Sequence, residues 1–161
     1  MLILLASSHV GASSPSLTEW LTNQFNFHKP SEYEIQLRKW IKYSEKSGTP
    51  LNIKEIGDFD WDRLFIFGPY ASNDWVSEEL GFEWTGINFY KEVSEGVCYL
   101  LFVKENAVVH YVKYPRSWGD FSRAYKQGGY GHQDAIFYVK KGGGPFFFRE
   151  PPLILTHPVE E

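Results

Sequence analysis

A chain of 161 residues, 43% apolar and 22% charged, has the size and composition of one globular domain, able to bury about two-thirds of its unfolded surface without metal or disulfide staples. Six Trp, 10 Tyr and 13 Phe make it 18% aromatic, which excludes a disordered chain because so much ring surface must be buried or used at an interface. A net charge of −4 argues against a general nucleic-acid binder.

The chain opens with the apolar run Met1–Ala6, then Ser7–Ser14. Val10 and Ala12 are spaced as a signal peptidase accepts, so residues 1–12 read as a signal peptide or as a first strand, with the signal preferred although its apolar run is short and no Lys or Arg precedes it. Residues 13–161 are then a single α+β domain. No cysteine follows the run to carry a lipid anchor, and no later segment approaches the ~20 apolar residues of a membrane span. A periplasmic or secreted location is the expectation, with the cytoplasm as the alternative.

Helical spacing comes first. Ser16 with Glu19 is a capping box, followed by Leu17, Trp20, Leu21 and Phe25 on one face. A second helix starts at Ser31, with Glu32 and Glu34 in its first turn, and stops at Gly48-Thr49-Pro50. Ile35, Leu37, Trp40, Ile41 and Tyr43–Ser44 supply its apolar positions. After Pro50 the period becomes that of strands. Leu51–Ile56 alternates, and Arg63–Phe67 reads as a buried strand stopped by Gly68-Pro69-Tyr70. Asn73 or Ser72 caps a short helix over Asp74–Leu80, ended by Gly81, and Trp84–Tyr90 reads as a strand. Val97–Val103 and Ala107–Tyr114 form a hairpin across Lys104-Glu105-Asn106. In its second arm Val109, Tyr111 and Lys113 share one face, and Val108, His110, Val112 and Tyr114 the other. Asp134–Val139 is a further strand. Phe146–Phe148 and Leu153–Leu155 are weaker ones, the latter limited to an edge by Pro151-Pro152. Helices first and strands afterwards argue α+β, with the N-terminal helices packed on one face of a mainly antiparallel β-sheet.

Candidate chemistry is sparse. Cys98 lies in an apolar run and reads as a buried hydrophobe. The glycine-rich segments Gly128–His132 and Gly142–Pro145 lack phosphate-loop spacing and read as turns. No histidine pair has metal-ligand spacing. The Asp58, Asp60, Asp62 string lacks the glycine and distal glutamate of a calcium loop and reads as a solvated edge. No metal and no cofactor is expected. His132, in a glycine-rich loop two residues before Asp134, could act as a general base with His110 and Arg116, as in a metal-independent ribonuclease.

Charge is segregated along the chain. Residues 13–53 carry +1, residues 54–95 carry −7, residues 96–149 carry +5 and the tail from Glu150 carries −3. The acidic block holds Trp61, Tyr70, Asp74, Trp75, Glu78, Glu79 and Trp84. With Arg116 and Trp118 these make a candidate partner-binding set, because aromatic rings and Arg anchor interfaces and carboxylates steer a basic partner. Core packing is the competing explanation for Trp61 and Tyr70, and pairing with Asp120 or Asp62 the competing one for Arg116.

Trp61-Asp62 followed by an apolar run to Pro69-Tyr70, and then a valine-rich hairpin ending in Pro115-Arg116-x-x-Gly119-Asp120-Phe121, resembles a group of small bacterial proteins, many exported or lipoprotein-like. The similarity covers residues 60–139. It implies a bacterial envelope location and no particular activity. Taken together, these features point to a non-enzymatic protein-binding module, such as an inhibitor or immunity protein that neutralises a basic toxin or hydrolase. A hydrolase or ribonuclease using His132 and His110, and a carbohydrate- or cell-wall-binding module, are the alternatives.

Overall fold

Residues 30–91, 95–142 and 153–158 are described by the computed structural model. The chain divides into two units, Met1–Pro30 and Ser31–Glu161, and all the described residues except Pro30 lie in the second. The expected leader, the helix over 16–25 and the Phe146–Phe148 strand fall outside the described residues.

Helix α1, Glu32–Ser47, begins as its sequence suggests. The Glu34 N–H donates to Ser31 Oγ at 3.2 Å and the Ser31 N–H donates to the Glu34 carboxylate at 2.7 Å, a complete capping box. Gly48 ends it in the left-handed conformation. The buried stripe is Tyr33, Leu37, Ile41 and Ser44, and it packs against the strands β1 and β5 described below. Ile35, Trp40 and Tyr43, expected on that face, point outward at 43, 40 and 54% exposure. Both stripes have helical spacing, and contact with the strands selects one of them.

Strand β1, Leu51–Asn52, pairs antiparallel with β5, Ile136–Lys141, and β6, Leu153–Thr156, pairs with the other side of β5. The expected strand over 51–56 is cut short because the Asn52 side chain accepts from the Lys54 N–H at 3.2 Å and turns Ile53–Glu55 into a 3₁₀ helix. Leu51, Ile53 and Ile56 remain buried. β6 is terminal in its sheet, as the prolines suggested. Its outer edge is bonded to Asp120, whose N–H donates to the Leu153 carbonyl at 2.7 Å.

The second sheet is antiparallel and ordered β2-β3-β4, from Arg63–Phe67, Val97–Lys104 and Ala107–Pro115. Both of its faces are covered. Leu64, Ile66, Leu100, Phe102, Val112 and Tyr114 join α1 and the β1-β5-β6 sheet in one core. Phe65, Phe67, Tyr99, Leu101 and Val103 form a second core closed by helix α2, Asn73–Leu80, and by Ile87 and Phe89. Burial on both faces is why β2 and β3 read as continuous apolar runs. The architecture is α+β, as expected. The N-terminal helix α1 precedes the strands, and α2 belongs to the second core.

Two expectations change. Trp84–Tyr90 is not a strand: Asn73 takes up its backbone groups, donating to the Ile87 carbonyl at 2.8 Å and accepting from the Phe89 N–H at 3.1 Å. Val108 does not share a face with His110. Phe102 faces His110 but Val103 faces Val108, so Val109 is the extra residue of a bulge and Val108 turns to the second core.

Candidate functional site

Helix α2 organises one part of the exposed acidic block. Ser72 Oγ accepts from the Trp75 N–H at 3.2 Å, Gly81 closes the helix, and Val76, fully buried, fixes which side faces the core. Asp74 and Glu78 are left exposed. Trp75 is half-buried, edge-on to Phe67 at 5.3 Å and against Tyr125 at 5.4 Å.

Around this helix each of three exposed tyrosines directs its hydroxyl at a carboxylate. Tyr125 donates to Glu79 at 2.7 Å, Tyr90 donates to Asp74 at 3.3 Å, and Tyr70 donates to Glu95. They are 42, 66 and 65% exposed, so the rings face solvent while their tips are held. The neighbouring carboxylates push all three phenol pKa values up: by the hydrogen bond for Tyr70 and Tyr125, by direct charge repulsion for Tyr90. Glu79 also accepts from the Gly128 N–H at 3.2 Å, which ties the glycine-rich loop to α2. At the bridge from Tyr130 to Leu64, Gly129 has φ +70, and a Cβ there would lie 2.8 Å from the Leu64 carbonyl oxygen. This loop is therefore a turn that only glycine can make.

Tyr70 stands out. Its backbone is left-handed at φ 71, a conformation that an aromatic residue adopts only where the surroundings impose it. Glu95 receives it. Glu95 is fixed in turn through its backbone carbonyl, which accepts from Arg116 Nη1 at 2.7 Å. The rest of the guanidinium forks onto Asp120, at 2.9 Å from Nε and 2.7 Å from Nη2. Burial alone would raise the Asp120 carboxyl, but Arg116 and Ser122 hold it below its ordinary value. Arg116 is thus a positioning residue behind Tyr70 and Glu95.

Four of the sequence candidates, Asp74, Trp75, Glu78 and Glu79, therefore share α2, and Tyr70 lies two residues before its cap, Ser72. Arg116 supports it from behind. Trp61 does not belong: two residues before β2, it is 2% exposed and packed edge-on against Phe102 at 5.5 Å in the first core. Trp84 packs on Tyr111 at 5.6 Å, and Trp118 lies under the Arg38 guanidinium at 4.3 Å, near Tyr114 in the first core. The surface also recruits Tyr90, Glu95 and Tyr125, which sequence reasoning passed over. Tyr90 and Glu95 were inside the acidic block; nothing local links Tyr125 to a glutamate 46 residues away.

The histidines do not assemble with Arg116. His132 sits edge-on to Trp61 at 4.3 Å, and His110 lies among Tyr33, Phe59 and Phe102. Arg116 is committed to Asp120 and Glu95, so the trio makes no common site among the described residues. The Asp58-Asp60-Asp62 string is dispersed as well: Asp60 pairs with Lys104 and Asp62 accepts from the Glu105 N–H at 2.8 Å. Here the acidic and basic blocks interleave. At Asp74 and Glu78 they do not, since no Lys or Arg among the described residues forms an ion pair with either. Cys98 is buried, and desolvation pushes its thiol up to about 12, which removes it as a nucleophile at neutral pH.

Fold and surface together define a small α+β domain with an acidic, tyrosine-lined face. No family model, no curated protein and no solved structure matches the chain.

Proposed function

We propose that the protein is a non-enzymatic module of the bacterial cell envelope that binds another protein of basic surface through the α2 face, as an inhibitor or immunity protein binds a cationic toxin or hydrolase. The observation that carries this reading is the set of exposed tyrosines held by carboxylates around α2, with Asp74 and Glu78 forming no ion pair among the described residues. Tyrosines anchored at the tip lose little side-chain entropy on binding, and unpaired carboxylates accelerate encounter with a cationic surface. The envelope location rests on the N-terminal run and on the resemblance of residues 60–139.

A photo-crosslinking amino acid in place of the exposed Lys91, beside Tyr90, tests the reading in living cells. The expected result is capture of one basic protein, lost when Asp74→Lys and Glu78→Lys are combined and unchanged by Lys54→Glu, on the far side of the β2-β3-β4 sheet. Capture of an acidic protein, or equal capture by the charge-reversed chain, would overturn it. Glu79 is unsuitable for this reversal because it clamps Tyr125 and Gly128.

A further inference from the structure

On the first-core side of the β2-β3-β4 sheet, away from α2, a cavity of about 600 Å³ opens between the first turn of α1, the Gly57–Phe59 segment and β4. This is within the range of small-molecule sites, roughly 300–1,000 Å³. Part of its wall is a cluster of three rings in mutual contact. Tyr33 and Phe59 are 5.5 Å apart between ring centres, Phe59 and His110 4.6 Å, and Tyr33 and His110 5.4 Å. Exposed Glu32 and Asp58 complete the lining, which contains no Lys or Arg. Gln36 donates to the Glu32 carboxylate at 3.4 Å and holds it at the site.

Three further features set the ligand's charge. Burial pushes the His110 pKa down, against the opposing pull of Glu34, so the ring is neutral at pH 7 and does not offset the carboxylates. A helix N-terminus would ordinarily attract an anion, but at α1 the Glu34 carboxylate already accepts from the Ser31 N–H and Ser31 Oγ from the Glu34 N–H, so an acidic group stands at that end. Tyr33 is 7% exposed, and its hydroxyl and His110 Nε2 are both buried without a hydrogen-bond partner among the described residues. Unsatisfied polar atoms of this kind call for a partner from outside the chain. Gly57 permits the arrangement: at φ +87, with any Cβ placed 2.9 Å from the Phe59 ring and 3.0 Å from Tyr33, it alone lets the backbone approach the rings and set Asp58 at the mouth.

We propose that this cavity binds a primary alkylammonium group, with Tyr33 and Phe59 offering ring faces and Glu32 and Asp58 the countercharge. Cation–π attraction and paired carboxylates favour an ammonium over a neutral or anionic group of the same shape. The site lies apart from the α2 face and does not depend on its function.

Amide spectra of the ¹⁵N-labelled full chain, titrated to about 50 mM at constant ionic strength, test the assignment. n-Butylammonium chloride is expected to shift the Gly57, Asp58 and Phe59 amides saturably, while n-butanol and sodium butyrate leave them in place. Asp58→Asn, at an exposed position, should weaken binding about fivefold, and Glu32→Gln by a similar factor. Tighter binding of N-acetyl-lysine methylamide than of n-butylammonium would assign the site to a lysine of a peptide, and the reverse order to a free amine. Equal shifts with n-butanol, an unchanged affinity in Asp58→Asn, or no saturable shift would each overturn the proposal.

Discussion

Two groups of tyrosines, one on each side of the β2-β3-β4 sheet, are held in opposite ways. On the first-core side Tyr33 and Tyr114 are buried rings whose hydroxyls have no hydrogen-bond partner among the described residues, and desolvation raises both phenols far above their ordinary pKa. On the α2 side Tyr70, Tyr90 and Tyr125 expose their rings and anchor their hydroxyls on carboxylates. A buried ring contributes its area, and its oxygen is a cost to that core. An exposed ring fixed at its tip contributes little to the core and presents a rigid surface to something else. The high aromatic content of the chain therefore includes two populations with different physical reasons.

Breaking the first population should have the largest effect. Phe102 is fully buried and touches Tyr33, Phe59, Trp61 and His110. Phe102→Ala should lower unfolding free energy by about 3–5 kcal/mol in urea titration, and nothing similar should follow from removing the exposed ring of Tyr90.

Acid should distinguish the faces next. The folded state holds His110 below its ordinary pKa, so the unfolded chain binds more protons once the pH falls below about 6.5. Stability should drop as pH falls through that value and level off below the folded pKa of His110. His110→Leu should remove this step from a melting-temperature profile. A second loss, from Asp120 becoming protonated, should begin only below its ordinary value of 3.8 and should survive in that variant.

Tyr70→Gly should raise the melting temperature by about 3 °C, because glycine relieves the left-handed backbone. The same variant should lose crosslinking at Lys91 if the tyrosine face is the binding surface. A stabilised variant with full capture would separate the strain at Tyr70 from binding.

The smallest effect should come from the oxygens of the first population. Tyr114→Phe removes a buried hydroxyl that has no hydrogen-bond partner among the described residues and should leave unfolding free energy within about 0.5 kcal/mol of the parent. Tyr125→Phe should instead speed amide exchange across residues 125–128, since it removes one of the two hydrogen bonds that tie that loop to Glu79 while the ring stays.

Much of this molecule is written locally. The capping box at Ser31 and Glu34, the caps at Ser72 and Gly81, the buried run of β2 and the β3–β4 hairpin each depend on residues a few positions apart, and each forms where its own sequence places it. The α2 part of the candidate face was legible for the same reason, since Tyr70, Asp74, Trp75, Glu78 and Glu79 lie within one short segment. What could not be read there required knowledge of what lies across from a residue. Trp40 and Trp61 are equally aromatic, yet one meets solvent and the other the first core. Val108 changes face because a single extra residue bulges at Val109, and the 84–90 segment gives up strand pairing to the Asn73 side chain.

The sequence by itself determined the α+β class, the helix ends, the hairpin and the acidity of residues 54–95, because caps, periodicity and charge act over one or two turns of chain. Only the tertiary structure decided which rings are core and which are surface. It also set Arg116 behind Tyr70, placed Tyr125 on Glu79, and opened a cavity beside His110. Those outcomes depend on contacts between segments far apart in the chain, and close packing of two cores settles them all at once.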